Sequence, residues 1–319
     1  MKPTVVFQTD FGSGGGGVLA GVVKSIDPEV GVYDFDHNIE PFNVRMASYQ
    51  LSSIVDWWPM GTIFVSVVDP GVGTKRRSCV ALLDNGCYVV TPDNGTLTAL
   101  AEKIAEVREI SPEHRMPGTE NVHIFNGRDV YAYTAGKLAA DVITFEEVGE
   151  AYEVSDLVRV PLTNIKPVCK EGFAEGGIYN FDLGYGSARV NIRNEVFQHV
   201  CGFAYGDRVE VSITEGDRVV FAGRAAYERS FGFVESGAPF ICGDIQPGPA
   251  QLLRFSINDR NFIEEYCPEL AFNSAGAVNY VFRVRKIESE EVVETGDLST
   301  RNFDVKLANM SAWRTALDA

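Results

Sequence analysis

The sequence predicts an α/β protein: a mostly parallel sheet with helices on both faces, followed by a smaller C-terminal antiparallel β-domain. Apolar, β-branched runs alternate with helical patterns over the first half of the 319 residues. The pattern breaks near residues 157–170, where prolines and short polar steps indicate a linker. Beyond it the segments are short, rich in turns and alternate with period two. We therefore expect domains at 1–160 and 173–319, joined by a linker at 161–172.

The first domain is predicted from strands that alternate with amphipathic helices along the chain. The strands are expected at 4–8, 30–35, 63–68, 79–83 and 88–90, and the helices at 18–26, 45–58 and 97–104. The order β-α-β-α-β favours a parallel sheet covered by helices on both faces. In such a sheet, ligands bind beyond the carboxyl ends of the strands.

The second domain is predicted from runs that alternate apolar and polar residues. Strands are expected at 176–182, 208–213, 218–221 and 279–284. Residues 270–319 form an extension to which the sequence assigns no role. No internal repeat accompanies these strands.

Composition excludes several classes of protein. The formal net charge of −16 argues against a nucleic-acid binder, which presents a basic face to phosphate. No apolar run approaches the roughly 18 residues of a membrane-spanning helix, and no signal peptide is recognised, so a cytoplasmic location is expected. The six cysteines and four histidines show no metal-binding spacing, so we expect neither a metal site nor a disulfide framework.

Four short polar motifs follow predicted strands and should meet at one edge of the sheet. They are Thr9–Gly12 (TDFG), Asp69–Arg77 (DPGVGTKRR), Pro92–Gly95 (PDNG) and Phe125–Val130 (FNGRDV). Each also has a purely structural interpretation. Asp69 could cap its own turn, Arg76 and Arg77 could be solvated, Pro92–Gly95 is a good turn sequence, and Arg128 with Asp129 could form a structural ion pair at a helix start.

The glycine-rich segment 12–17 fits the dinucleotide-binding pattern G-x-G-x-x-G, with Asp34 about twenty residues further on. This pattern would indicate an NAD-dependent oxidoreductase. Four consecutive glycines match almost any glycine template, however, and Asp10 would place a carboxylate beside the pyrophosphate. The alternative is a tight strand-to-helix turn. Asp10 suits a neutral ribose diol or a cationic ligand better than a diphosphate.

Together, the four motifs resemble the S-adenosylmethionine hydroxide adenosyltransferase family, whose relatives include fluorinating and chlorinating enzymes. The resemblance covers residues 4–135 in the family's order and spacing, and it continues more weakly in 182–192. It implies hydrolysis of S-adenosylmethionine by attack of water on ribose C5′, giving adenosine and L-methionine. It implies no cofactor, a small adenosyl substrate, and a homotrimer with its sites at subunit interfaces.

The resemblance assigns roles to residues of the first domain. Asp10 matches the carboxylate that holds both ribose hydroxyls, and Phe42 matches an aromatic residue beside the sugar. Asp69 and Arg76 match two members of an Asp-Arg-His set that handles the attacking water. The third member is Asn126 here, and asparagine cannot titrate near neutral pH. The other motif positions expected to contact substrate are Asn94 and Phe125.

In the second domain, the resemblance places Asp182 and Tyr185 near the methionine ammonium and the adenine. Ser187 stands where the family has an adenine-reading asparagine, and Asn258 is expected in the substrate site. Arg189 stands at a position where the family has an aromatic or small residue. Arg254 is the nearest candidate for an arginine that clamps the methionine carboxylate.

Asp69 also distinguishes water from halide as the nucleophile. The halogenating relatives have tyrosine at this position, and a carboxylate would repel halide, so a hydrolase is expected and not a halogenase. The departure at Asn126 and the altered arginine clamp for the methionine carboxylate keep a second hypothesis open. It is a non-catalytic protein that binds a nucleoside or another adenosyl compound on the same fold.

Overall fold

The computed structural model describes residues 2–244, 251–271 and 279–287. The chain divides into two compact units between Leu162 and Thr163. Most of the C-terminal extension to which the sequence assigns no role, residues 272–278 and 288–319, lies outside the described residues. Within the described part, no helix is long and apolar enough to cross a membrane.

The first unit contains the five strands and the first two helices that its sequence predicts, together with two further strands and a further helix that were not predicted. Its strands are β1 Thr4–Thr9, β2 Gly31–Asp36, β3 Ile63–Val67, β4 Ser78–Leu83, β5 Tyr88–Pro92, β6 Ile104–Glu109 and β7 Ala151–Tyr152. Its helices are α1 Gly15–Ile26, α2 Val44–Ile54 and α3 Tyr133–Ala139, the last preceded by a π-helical segment, Gly127–Ala132. Short 3₁₀ turns occupy Val55–Trp57, Thr98–Lys103, Pro112–His114, Glu146–Val148 and Val154–Asp156.

These strands form one sheet in the order β2-β1-β3-β5-β4-β6-β7. The pairs that β1 makes with β2 and β3, and that β3 makes with β5, are parallel; the pairs beyond β5 are antiparallel. Alternate side chains of β1 point to opposite faces. Phe7 packs in a core with Leu19 of α1 and Ala135 of α3, whereas Val6 packs with Leu51 of α2. Helices therefore cover both faces, as predicted.

One predicted element of this unit is wrong in type. Residues 97–104 were expected to form a helix, but they form the 3₁₀ turn Thr98–Lys103, which leads directly into β6. Leu97 and Leu100 are buried in the core on the α2 side of the sheet. Their spacing of three fits a 3₁₀ turn as well as an α-helix, so the apolar pattern alone did not separate the two.

The second unit is a barrel and not a simple antiparallel sheet. Its strands are β8 Val168–Lys170, β9 Phe173–Asp182, β10 Ser187–Arg193, β11 Arg208–Glu215, β12 Arg218–Tyr227, β13 Pro239–Gly243, β14 Leu252–Ile257 and β15 Tyr280–Lys286. Two short helices, α4 Asn194–His199 and α5 Phe262–Tyr266, and 3₁₀ turns at Phe231–Phe233 and Pro268–Ala271 complete the described part. The order β10-β14-β13-β12-β11-β15-β9 closes because β9 also pairs with β10, and β8 adds to β9 outside the ring. Only the β12–β13 pair among these described pairings is parallel.

The first turn of α1 is built from glycines for a steric reason. A Cβ atom on Gly16 would lie 2.4 Å from Nε2 of His37 and 2.7 Å from Oδ1 of Asp34, whereas a Cβ atom on Gly17 would meet nothing within 4 Å. Gly16 is thus required by close approach of the helix backbone to the side chains of His37 and Asp34. Gly17 is not.

Replacing these two glycines should therefore have opposite effects. We expect Gly16→Ala to lower the free energy of unfolding by about 1–3 kcal/mol, because the added methyl overpacks a buried contact. Gly17→Ala is the matched control and should be neutral or stabilising by up to about 1 kcal/mol, because alanine favours the helix. Urea unfolding of both variants measures the difference. Equal stability of the two would contradict the steric account.

Candidate active site

The two carboxylates singled out from the sequence follow neighbouring parallel strands. Asp10 follows β1 directly, and Asp69 follows β3 after one intervening residue. In the register of the sheet, Thr9 of β1 lies opposite Val67 of β3. Adjacent strands are about 4.8 Å apart. Both acids therefore leave the same edge of the sheet side by side.

The other two motifs reach the same edge. The side-chain amide of Asn94 donates to the carbonyl of Val68 at 2.9 Å, which ties the turn after β5 to the end of β3. A Cβ atom on Gly127 would lie 2.8 Å from the ring of Phe11 and 3.4 Å from Val67, so the start of the π-helical segment packs against both strand ends. The structure thus brings all four polar motifs together.

Asp69 and Arg76 form a bidentate ion pair across their turn. Nε of Arg76 donates to Oδ1 of Asp69 at 2.7 Å, and Nη2 donates to Oδ2. Both side chains are largely buried, with 6% of Asp69 and 12% of Arg76 exposed. Asp69 also accepts the backbone N–H of Gly71, so it caps its own turn as well. The carboxylate is held in one orientation by three donors.

Arg76 is fixed from its other side by the helix that follows Asn126. Nη1 of Arg76 lies 3.4 Å from the hydroxyl of Ser78, which bonds the hydroxyl of Tyr131 at 3.0 Å. Burial opposes the charge of Arg76, yet the interactions with Tyr131 and Asp69 raise its pKa above the ordinary value. Burial also raises the pKa of Tyr131, which stays neutral. The guanidinium is therefore a permanent cation beside Asp69.

Arg77, by contrast, has a structural role. Its Nε donates to the buried Asp93 at 3.2 Å, and its guanidinium stacks on Tyr152, 4.1 Å from the ring centroid. The two adjacent arginines therefore point to different partners. Neither of them is simply solvated.

Asp10 shapes the loop that carries Phe42. Oδ2 of Asp10 accepts the backbone N–H of Phe42 at 3.0 Å. Phe42 has a φ of 68°, a left-handed conformation that is uncommon for an aromatic residue. Its ring is 68% exposed at the rim of the strand ends. The second oxygen of Asp10 has no protein donor among the described residues, so it is an available acceptor.

Asn126 is oriented by a cation. Its side-chain carbonyl accepts from Nη2 of Arg115 at 2.7 Å, so the assignment of oxygen and nitrogen in the amide follows from the donor. Within the described residues its NH₂ has no protein acceptor. Asn126 can thus donate a hydrogen bond at the edge of the site, but it cannot take up a proton.

The remaining motif residues of this unit serve the fold. Both polar atoms of the Asn94 amide are engaged, the nitrogen with Val68 and the oxygen with Thr96. Phe125 is half exposed and lies under the guanidinium of Arg128, 5.1 Å from the ring centroid. Arg128 pairs with the fully buried Asp129 at 2.5 Å. This is the structural ion pair that the sequence left as an alternative.

In the second unit, Asp182 is already surrounded by arginines. Nη2 of Arg189 donates to Oδ2 of Asp182 at 3.1 Å, and Arg254 lies 3.7 Å from the same oxygen. Arg189 also contacts Asn180, at 2.7 Å, and Asp244, at 2.9 Å. Arg189, which departs from the family pattern, is therefore part of a buried charge network with Asp182 and Asp244, and Asp244 is far from it in the chain.

Ser187, at the start of β10, and Asn258, directly after β14, are buried, whereas Tyr185 is exposed. The hydroxyl of Ser187 accepts from Arg254 and from Ser256, each at 2.8 Å. The amide NH₂ of Asn258 donates to the carbonyl of Val234 at 2.6 Å, but its buried Oδ1 finds no donor among the described residues. Tyr185 is 75% exposed.

A surface cavity of about 420 Å³ opens beside these residues. It is lined by Gly184, Tyr185, Phe231, Ile257, Asp259, Arg260 and Asn261. Two aromatic rings, those of Tyr185 and Phe231, face it. The guanidinium of Arg254 lies 5.8 Å from the centroid of the Phe231 ring. The sequence did not single out Phe231, because nothing local marks the 3₁₀ turn on which it lies.

The structure does not favour the dinucleotide interpretation of the glycine segment. Asp34, the expected ribose acid, accepts a hydrogen bond from the ring of His37 at 3.0 Å beneath the first turn of α1. Its carboxylate is therefore engaged with the protein. Across the described ranges, no group of three or more His, Cys, Asp or Glu side chains is arranged to hold a metal ion.

Comparison with known proteins agrees with this geometry. Residues 5–149 match the family model described as the SAM hydroxide adenosyltransferase N-terminal domain. A Thermus thermophilus protein named (R)-S-adenosyl-L-methionine hydrolase is 34% identical over 268 residues, which cover 81% of this chain and 92% of the relative. An Actinopolyspora mzabensis fluorinase is 24% identical over 242 residues, covering 67% and 79%.

A solved structure extends the likeness over the whole fold. The crystal structure of an uncharacterized conserved protein from Thermotoga maritima superposes with a TM-score of 0.73 at 29% identity, covering 88% of this chain and 99% of that one. The resemblance expected from the four motifs is confirmed. The chain belongs to the SAM hydroxide adenosyltransferase family, in which hydrolases and fluorinases are relatives.

Proposed function

We propose that this protein hydrolyses S-adenosylmethionine to adenosine and L-methionine. The observation that carries the proposal is the bidentate Asp69–Arg76 pair at the end of β3, beside Asp10 at the end of the adjacent β1. The Thermus thermophilus relative, named a hydrolase of this substrate, supports the same assignment. Asp69 is an anion where a halide would have to approach, so water is the nucleophile.

The reaction needs little beyond positioning. A water molecule attacks C5′ of the ribose while the C5′–S bond breaks, and the bonding electron pair leaves with sulfur as the neutral thioether of methionine. The proton of the water passes to the Asp69 carboxylate, which is oriented by Arg76. Because the sulfonium is already an activated leaving group, no metal or other cofactor is required in this scheme. Addition of a chelator should leave the rate of adenosine formation unchanged.

Asp10 and Phe42 are proposed to hold the ribose. One oxygen of Asp10 accepts from the backbone of Phe42, and the other is proposed to accept from the ribose hydroxyls. A carboxylate accepts hydrogen bonds from vicinal hydroxyls more strongly than a neutral group does. The exposed ring of Phe42 then packs against the sugar. Asn94 supports this side of the site by its hydrogen bond to Val68 at the end of β3. Phe125 is proposed to contribute an exposed ring beside it.

The second unit is proposed to supply contacts for adenine and methionine. Tyr185 and Phe231 present aromatic faces on one cavity, which suits a nucleobase. Asn258 Oδ1 is a buried acceptor without a donor among the described residues, and such an atom costs free energy until a ligand or water satisfies it. Arg254, held by Ser187, is the proposed partner of the methionine carboxylate. Asp182 is the proposed partner of the methionine ammonium, and its carboxylate also accepts a hydrogen bond from Arg189.

Asn126 is proposed to orient the water and not to take its proton. The Arg115 hydrogen bond leaves only its NH₂ for the site. Asn126→Ala should therefore lower kcat by only about fivefold to tenfold, the effect of one hydrogen bond worth about 1 kcal/mol. Steady-state kinetics with S-adenosylmethionine measure it. A loss as large as that of a missing general base would show that Asn126 does more than donate.

The direct test is incubation of the purified protein with S-adenosylmethionine, with and without chelator, followed by chromatography of the products. Adenosine and methionine in equal amounts are expected. The geometry at Asn126 also suits a second candidate, a non-catalytic adenosyl-ligand binding protein, since no titratable group replaces the histidine of the family. Tight binding of adenosine or S-adenosylmethionine by calorimetry without any turnover would favour that candidate.

We further propose a homotrimer with its adenosyl sites at subunit interfaces. The exposed aromatic side chains Phe11, Phe42 and Phe125 surround the proposed ribose site, and such a rim is typical of a surface that another subunit covers. Light scattering coupled to size-exclusion chromatography measures the mass. A monomer at working concentration would contradict this part of the proposal. The cytoplasmic location stays a prediction.

A further inference from the structure

A chain of hydrogen bonds runs from the end of β1 to the end of β2. The hydroxyl of Thr9 bonds Nδ1 of His37 at 2.8 Å, and Nε2 of His37 bonds Oδ1 of Asp34 at 3.0 Å. Thr9 is fully buried and His37 is 7% exposed. The same Thr9 hydroxyl accepts the backbone N–H of Phe11 at 3.1 Å. These contacts enclose Asp10 between two anchored residues.

The backbone of residues 37–42 is bonded to the same turn. The N–H of Gly12 donates to the carbonyl of His37 at 2.8 Å, and the N–H of Ile39 donates to the carbonyl of Thr9 at 3.3 Å. Together with the Asp10–Phe42 hydrogen bond, the turn and the loop are joined on both sides of Asp10. His37 contributes both its ring and its carbonyl to this connection.

Both ring nitrogens of His37 have a hydrogen-bond partner. The ionised carboxylate of Asp34 only accepts, so Nε2 carries a hydrogen. The Thr9 oxygen accepts from Phe11, and its own hydrogen is then free to be donated to Nδ1. The ring of His37 therefore joins the Asp34 carboxylate to the Thr9 hydroxyl through its two nitrogens.

We propose that His37 is a positioning residue for the ribose-binding carboxylate. By fixing the Thr9 side chain, it fixes the direction in which the chain leaves β1 and hence the orientation of Asp10. This inference rests on the proposed role of Asp10 in holding the ribose diol. His37 touches no reacting atom in this scheme. Its effect reaches the ligand only through the turn Thr9–Gly12.

Two substitutions separate the two ends of the hydrogen-bond chain. In His37→Asn, the side-chain oxygen takes the place of Nδ1 and keeps an acceptor for Thr9, while the bond to Asp34 is lost. In His37→Gln, the terminal NH₂ takes the place of Nε2 and keeps the bond to Asp34, while Thr9 loses its acceptor. We expect His37→Gln to weaken adenosine binding by about tenfold and His37→Asn to weaken it less.

The readout compares adenosine with 2′,3′-dideoxyadenosine by calorimetry. Because the effect passes through Asp10, His37→Gln should weaken binding of adenosine more than binding of the dideoxy compound; any loosening of the Asp10–Phe42 hydrogen bond affects both nucleosides alike. KM for S-adenosylmethionine should rise more than kcat falls. Equal losses for both nucleosides, or equal losses for the two variants, would overturn the inference, because a merely structural histidine affects all ligands alike.

The failure of this inference differs from failure of the proposed function. If wild-type protein does not prefer adenosine to the dideoxy compound, the role of Asp10 fails and the inference fails with it. If wild type shows the preference and His37→Gln keeps it in full, only the inference fails. Should His37→Gln not fold, Thr9→Val with Thr9→Ser as its control removes and restores the same hydroxyl. Thr9→Val must then lose the ribose preference, and Thr9→Ser must keep it.

Discussion

Replacing Asp69 with asparagine is expected to lower the rate of adenosine formation by about 10² to 10⁴-fold, the usual contribution of a positioned general base. Asparagine keeps an oxygen for the N–H of Gly71 and for Nε of Arg76, so the turn should survive. It cannot accept the proton of the attacking water at neutral pH. Single-turnover kinetics with S-adenosylmethionine, followed by adenosine release, measure the loss.

Two controls test whether the loss of rate in Asp69→Asn comes from loss of the general base. Adenosine affinity of Asp69→Asn should match that of wild type, because Asp69 is not proposed to hold the nucleoside. Asp56→Asn makes the same chemical change in a carboxylate that pairs with Lys103 away from the site, and it should leave the rate unaffected. If Asp69→Asn turns over as fast as Asp56→Asn, Asp69 is not the base.

Replacing Asp10 with alanine should have the second large effect, which is a loss of affinity for adenosine. Two ribose hydroxyls would lose a charged acceptor, which should weaken adenosine binding by about 10² to 10⁴-fold, since hydrogen bonds to charged groups contribute about 1.5–3 kcal/mol each. The loop that carries Phe42 also loses its anchor at 3.0 Å, so the variant alone does not isolate the ribose contribution.

A thermodynamic cycle that compares adenosine with 2′,3′-dideoxyadenosine, in wild type and in Asp10→Ala, isolates the contribution of the ribose hydroxyls. Wild type should bind adenosine much more tightly than the dideoxy compound, and Asp10→Ala should bind the two nearly alike. The coupling between the residue and the hydroxyls is the difference of these differences, from which the loop contribution cancels. If Asp10→Ala still discriminates as wild type does, the ribose diol is held by another group.

The sequence predicted those parts of the molecule that depend on local pattern. Strand ends and their motifs follow from runs of apolar residues, and the parallel β1–β3 pair follows from alternation with helices. These two features suffice to place Asp10 and Asp69 at one edge. The 3₁₀ turn Thr98–Lys103 was expected as a helix because its apolar spacing resembles that of an α-helix, and the π-helical segment Gly127–Ala132 was not predicted.

Features that depend on long-range contacts were outside the reach of such patterns. The positive φ of Phe42 is held by Asp10, 32 residues earlier in the chain. Closure of the barrel requires β9 to pair with β10 while it also pairs with β15, about a hundred residues away in the chain. Arg189 was marked only as a departure, and its partners Asp182 and Asp244 became known from the fold.

The most direct test of the central claim is turnover of S-adenosylmethionine in water enriched in heavy oxygen, with mass spectrometry of both products. Attack of an Asp69-oriented water on C5′ predicts one heavy oxygen in every newly formed adenosine, at the 5′ position, and none in methionine. Adenosine without the label, or release of methylthioadenosine or adenine in its place, would contradict it.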